Sequence, residues 1–171
     1  LPVGSINEKN AAGTHSPYGM QLGSGTYDLI LGSTGLIFHN NTSLGAQITG
    51  IFRLGKNKYN YHLGNQYKAT LWGQKVWNKE LSSSIRSSLL IKNDINGSDD
   101  TLSTMQINMS PMYNTNQGTT TVDVGFGLNY MPSSLNGTRF ATELSMPIFR
   151  KSDSITLLTD SNITVGVQKQ L

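Results

Sequence analysis

The clearest pattern in the chain lies over residues 119–131, TTTVDVGFGLNYM. Val122, Val124, Phe126, Leu128 and Tyr130 fall on one parity, and Thr121, Asp123, Gly125, Gly127 and Asn129 on the other. Side chains of a strand alternate between its faces, so this run predicts one strand with an apolar and a polar face. The same alternation predicts six more. A strand over about 27–38 sets Leu29, Leu31 and Ile37 opposite Asp28, Gly32 and Thr34. Another over 43–54 sets Leu44, Ala46, Ile48 and Phe52 opposite Gln47, Thr49 and Arg53. Residues 66–77 follow, then 81–95, where Ile85, Leu89 and Ile91 oppose Arg86, Ser88 and Lys92. Over 139–148, Phe140, Leu144, Met146 and Ile148 oppose Arg139, Ala141, Glu143 and Ser145. The last strand, about 155–171, sets Ile155, Leu157, Ile163, Val165 and Val167 against Asp160, Asn162, Thr164, Gly166 and Gln168. Residues 1–26, with Pro2, Pro17 and several glycines, read as a loop. The prediction is a single all-β domain over 1–171, a loop over 1–26 and about seven strands over 27–171.

Two architectures bury or cover such strands. In a soluble β-sandwich the apolar face meets a second sheet; in an antiparallel up-and-down transmembrane β-barrel it meets lipid, and the polar face lines the lumen. Sandwich strands run about 5–6 residues, whereas a spanning strand needs about 9–11, and these runs match the longer figure. The connections alternate between long and short, as in an outer-membrane barrel with short periplasmic turns and longer outside loops. Aromatics gather at strand ends: Phe38, Trp77, Tyr130 and Phe140 by the short turns, and Tyr27, Phe52, Tyr67 and Phe149 by the long loops. Trp72 and Phe126 are the mid-strand exceptions. The barrel is therefore the first reading. The alternative is a soluble or surface β-sandwich that binds a ligand or partner through loops 55–65 and 96–118.

Composition narrows the function classes. Only 13% of residues are charged and 36% are hydrophobic, with Gly, Ser, Thr and Asn filling the gap, which is not the make-up of a helical bundle. Net charge is +3, but the bases are scattered, so nucleic acid is not an expected partner. The absence of cysteine excludes disulfides, thiolate metal sites and a Cys nucleophile. No apolar run is long enough for a transmembrane helix, and no signal peptide opens the sequence.

The polar parity carries Asp28, Arg53, Lys68, Arg86, Lys92, Asp123, Arg139 and Glu143. In a lumen these charges pair across strands and set the field for a solute. A constriction built from Arg53, Arg86, Asp123 and Arg139 is the functional reading, with Lys68 and Glu143 on the same wall; a solvated inner wall that packs or plugs the barrel is the plainer one. Val122, Val124, Phe126, Leu128, Ile163 and Val165 are the lipid-facing candidates. Asp123 and Glu143 could form a general acid/base pair, but no positioned histidine or nucleophile accompanies them, so no enzyme is expected. His15, His39 and His62 fall in loops or at a strand end. Met105, Met109 and Met112 are weak Cu(I) candidates, and flexible apolar filler of a long loop is the better reading. No cofactor is expected.

The segments LPVGSINE (1–8), PYGMQLGSGTYDL (17–29), YHLGNQYKATLWG (61–73) and VDVGFGLNYM (122–131) resemble a known family. It is the outer-membrane proteins named for the meta-pathway of phenol degradation, often labelled simply "transporter". The most specific piece is MQLGSGTYDL (20–29). The resemblance covers nearly the whole chain but only the C-terminal half of a typical member, in which further strands and a His/Met-rich region precede the LP-x-GS segment. It implies a β-barrel in the Gram-negative outer membrane that takes up small molecules, hydrophobic or aromatic ones included. It also implies the bilayer and the outer-membrane assembly machinery as partners, together with the N-terminal part of the barrel or another copy of the chain. The C-terminus matches the insertion signal of such barrels in part: Thr164, Gly166 and Leu171 fit, Lys169 departs and the last residue is not aromatic.

Overall fold

The computed structural model of the chain describes residues 2–102, 112–154 and 160–169. It is all-β, with seven strands: β1 (Tyr27–His39), β2 (Thr42–Leu54), β3 (Gln66–Val76), β4 (Leu81–Lys92), β5 (Thr119–Tyr130), β6 (Thr138–Ser152) and β7 (Asn162–Lys169). They form one sheet in the order of the sequence, each strand antiparallel to the next. The sheet curls into a half-barrel, and β1 and β7 remain as its two edges. Among the described residues no second sheet packs on either face, so the two-layered sandwich is not formed.

Local chemistry fixes the turns at one end. Asn40 lies at φ 49° in the two-residue link between β1 and β2, a left-handed conformation that asparagine tolerates. Asn78 Oδ1 accepts from the Glu80 and Leu81 amides at 2.8 and 2.9 Å and so shapes the β3–β4 turn. Glu80 Oε1 in turn accepts from the Ser133 hydroxyl at 2.5 Å and its amide at 2.8 Å, tying this turn to the β5–β6 turn. These bonds, the hydroxyl's first, hold the Glu80 carboxyl below the usual carboxylate range.

The bounds depart from simple alternation in three places; at one of them β7 begins at Asn162, with Asp160 and Ser161 outside it. β4 stops at Lys92 rather than 95, because Ile95 turns inward to a buried cluster. β6 runs on to Ser152 through an irregularity opposite Val122 and Asp123: Asp123 pairs with Pro147, Val122 with Phe149, and Ile148 is left between them. A proline has no amide to donate to the ladder, so it sits at a bulge, and the extra residue returns Phe149 to the apolar parity beside Val122. Ile155 and Leu157, placed at the start of the last strand by alternation, lie outside the described residues, as do Met105, Met109 and Leu171.

The register sorts the side chains. Leu29, Phe52, Tyr67, Ile91 and Thr120 lead one face; below them come rows such as Ile37–Leu44–Gly73–Ile85–Phe126–Leu144–Ile163. This face is open to its surroundings: Phe126 is 56% exposed, Ile163 71% and Val165 74%. On the opposite face Thr70 and Ser88 are buried, as are Gly125 and Gly127. Crowding on one side and divergence on the other are what a curled sheet imposes. The accessible surface is 11208 Å², against about 8,200 Å² for a globular chain of this mass. The difference reflects an apolar face that nothing among the described residues covers.

The buried core lies at the end of the sheet that carries the long connections. Tyr18, Tyr61, Ile95 and Leu102 pack together, with Tyr59, Leu63 and Tyr113 against them. Tyr18 and Tyr61 meet edge to face at 4.8 Å. The segment before β1, read from sequence as a loop, is thus bound into a cap. Its hydrogen bonds reach across: Tyr59 donates to Asn7 Oδ1 at 2.8 Å, and the Asp99 amide to the Tyr18 hydroxyl at 3.0 Å. His15 Nδ1 lies 2.6 Å from Asp99 Oδ2, both side chains buried, and His15 Nε2 meets the Ile6 carbonyl at 2.8 Å. Asp99, 1% exposed, also accepts from the Thr101 amide and hydroxyl at 2.8 and 2.6 Å.

Burial pushes the Tyr61 phenol up to about 12 and raises that of Tyr18. A phenol whose pKa is higher in the fold than in the open chain stabilises the fold fully below about pH 10. That contribution disappears as the pH rises through the folded value, so the cap is expected to loosen between about pH 10 and 12. Amide exchange of residues 57–63 and 95–102 should then accelerate before that of β2–β5, and Tyr61→Phe should retain its protection to higher pH than the parent.

Candidate functional site

Four of the sequence-predicted charges sit in two ion pairs on the polar face. Asp28 and Arg53 are register partners at the cap end, and Arg53 Nη1 donates to Asp28 Oδ2. Ser24 and Thr26 hydroxyls donate to the same carboxylate at 3.0 and 2.8 Å. This group locks the start of β1.

Arg86 of β4 reaches Glu143 of β6 with two donors, Nε to Oε2 at 3.2 Å and Nη2 to Oε1. The pair spans the intervening strand β5, and it can do so because β5 presents glycine there. A Cβ on Gly125 would lie 3.2 Å from Glu143 Cδ and 3.4 Å from Arg86 Nη2. Gly125, the first glycine of the GFG segment, therefore clears a path for a guanidinium–carboxylate pair, which is bidentate and geometrically specific. Both partners remain about 30% exposed, so the pair contributes little to stability and much to the electrostatic shape of the wall.

Trp72 lies in the same row, register partner of both Gly45 and Arg86. A Cβ on Gly45 would run into its indole ring, so the ring occupies the space above that glycine. Trp72, Arg86, Glu143 and Arg139 line one open depression of about 320 Å³, with Gln74 and Asn129 beside them. Arg139 donates to Asn129 Oδ1 from Nε at 3.0 Å and Nη2 at 2.5 Å, and among the described residues no carboxylate pairs with it. Asp123 stands between Ser88 and Pro147 in the register, within electrostatic reach of Arg86. Lys68 is exposed on the same face, beside Thr49 and Leu90.

The four residues expected to form a constriction are therefore not one cluster. Arg86 and Arg139 share a depression, Asp123 lies nearby, and Arg53 is held by Asp28 toward the cap. Shear explains this: same-parity residues on neighbouring strands are separated along the wall, and alternation gives parity without height. Nor do Asp123 and Glu143 face each other as an acid/base couple, because Glu143 is held by Arg86. Sequence reasoning missed Trp72 as a wall residue, and it missed the apolar members of the polar parity of β1: Ile30, Leu36 and Phe38. It also missed the His15–Asp99 pair, whose partners lie far apart in the chain with no local pattern to connect them.

The remaining candidates stand apart. His39 is exposed at a short turn, and His62 Nδ1 meets the Leu63 carbonyl at 2.9 Å. His62, Lys92, Asp94, Lys151 and Asp153 line a second, polar depression of about 550 Å³ at the cap end. There Asp94 Oδ1 is occupied by the Gly118 amide at 2.6 Å. Among the described residues no three His, Asp or Glu side chains are placed to hold a metal ion, and Met112 is exposed. No described helix is long and apolar enough to cross a membrane, which leaves crossing by strands open. Comparison with protein-family models, curated proteins and solved structures gives no match.

The Gly45–Trp72 contact gives a direct test of the wall. Gly45→Ala should destabilise the sheet by about 1–3 kcal/mol, the typical cost of overpacking. Combined with Trp72→Leu, it should cost much less than on its own, as measured by denaturant unfolding across the double-mutant cycle.

Proposed function

We propose that this chain forms the wall of an outer-membrane β-barrel through which small molecules pass. The carrying observation is the uncovered apolar face, continuous across all seven strands. A patch of that extent marks an interaction surface, and hydrocarbon is the partner that needs no side-chain complementarity. β1 to β6 have 11–15 residues. At the tilt of such barrels, 11 residues rise roughly 28 Å, close to the apolar band of a bacterial outer membrane.

The aromatic residues support the same orientation. On the apolar parity, Tyr27, Phe52, Tyr67 and Phe149 lie toward the cap, and Trp77, Tyr130 and Phe140 toward the short turns. Lys75 lies 4.4 Å over the Trp77 ring, and the indole donates to the Ser83 hydroxyl at 2.8 Å, an arrangement suited to an interface that is apolar on one side and wet on the other. Phe38 departs, since its parity places it on the polar face. The cap then lies over the outer mouth and the short turns face the periplasm. On this reading Val122, Val124, Phe126, Leu128, Ile163 and Val165 meet lipid, while Trp72, Arg86, Asp123, Arg139 and Glu143 face the solute. No residue acts as a catalyst. The resemblance to the meta-pathway outer-membrane proteins favours small hydrophobic or aromatic solutes.

Val124→Arg is expected to block membrane assembly, because a cation on the lipid face near midplane costs about 2–4 kcal/mol. Wild-type levels of that variant in the outer-membrane fraction would refute the placement. Glu143→Gln should release the Arg86 charge into the lumen and shift the reversal potential in planar bilayers toward anion selectivity by up to about five-fold, the effect of one charge at roughly 4 Å in water. An unchanged potential would remove Arg86 from the conduction path.

A further inference from the structure

The barrel reading requires both edges of the sheet to be paired, and the strand count dictates by what. β1 and β7 are separated by an even number of antiparallel steps, so both run from the cap end to the short-turn end. A second copy in the same orientation would bring β7 beside β1 with the two strands parallel at both seams. An inverted copy would pair β1 with β1 and β7 with β7 antiparallel, but it would put its cap on the opposite side of the membrane from the first. Bacterial barrels are antiparallel throughout, with an even number of strands. Only an odd number of added strands turns seven into an even total and gives both edges antiparallel neighbours.

We infer that the sheet is closed by an odd-numbered run of strands of different sequence from β1–β7, whose first and last strands run from the short-turn end toward the cap end, and not by a second copy of this chain. The inference rests on the membrane-barrel reading above.

The edge itself indicates the chemistry of the strand beside β1. Its polar-parity face carries Ile30, Leu36 and Phe38, all exposed, the last to 75%. Water lining such a strip gains nothing, whereas apolar cross-strand partners would stabilise it by roughly 0.2–1 kcal/mol per pair. The neighbour of β1 therefore brings apolar side chains on its lumen side as well as its lipid side. The seam at β1 is packed on both faces, unlike the ion-paired wall of β4–β6.

The absence of cysteine makes the test site-specific. Single variants Leu29→Cys and Ile37→Cys on β1, and Ile163→Cys and Val167→Cys on β7, would be labelled in isolated outer membranes with a thiol-reactive benzophenone. After photolysis, the captured residues would be identified by peptide mass spectrometry. At β1, the residue captured from position 37 is expected to precede in sequence the one captured from position 29. At β7, the residue captured from 167 should precede the one captured from 163. Both captured strands should differ from β1–β7. Capture of β7 by β1 or of β1 by β1 of another copy, capture in the reverse order, or no protein capture at either edge would overturn the inference. Recovery of the variants with soluble proteins would instead refute the membrane reading, whereas outer-membrane recovery with copy-to-copy capture would refute this inference alone.

Discussion

A strand can give each face only every second side chain, and this chain obeys that constraint with few interruptions over seven strands. The rest of the structure depends on it. One parity is apolar, and among the described residues nothing packs over it. The other holds hydroxyls, amides and charges close enough to satisfy one another. A one-residue slip in any strand would send its whole apolar set to the wrong face. The pinned turns at Asn40 and Asn78 and the Glu80–Ser133 bonds act against that slip at the uncapped end.

The wall shows how sparse sequence features become a specific surface. Glycines at 45 and 125 are vacancies beneath larger neighbours: the indole of Trp72 lies over one, and the Arg86–Glu143 pair crosses the other. The strand that opened the sequence reading, β5, is therefore less a source of polar contacts than a floor across which its two neighbours meet. Charge on this wall is graded. Arg53 is ion-paired with Asp28 near the cap, Arg86 is paired but accessible, and among the described residues Arg139 bonds the Asn129 amide toward the short turns.

Much of the fold was legible because period two is a strong signal when repeated. The starts and ends of β1, β2, β3 and β5 fall within a residue or so of where alternation set them. The misses have physical causes. Pro147 and the extra residue Ile148 break the alternation, and a bulge cannot be seen in one strand without its partner. Ile95 reads as a continuation of β4 but belongs to the cap, because apolar parity does not reveal which core a residue enters. The cap as a whole was illegible. It is built from residues brought together by loop closure, such as His15 with Asp99 and Asn7 with Tyr59, and neither pair leaves a periodic trace. The charged residues of the wall were identified by parity, but their grouping depends on shear, which no single strand encodes.

The strictly sequential strand order carries a kinetic consequence. Each strand pairs only with its neighbours in the chain, so the sheet can grow one hairpin at a time with short loops to close, the arrangement associated with rapid folding. The exception is the β4–β5 junction, where residues 93–118 intervene. Closure entropy grows slowly with length, about 0.6 kcal/mol per doubling, so the penalty at that junction is modest but the largest in the sheet. Assembly would thus divide into a β1–β4 half and a β5–β7 half that join last, along the same seam that the Arg86–Glu143 pair later bridges.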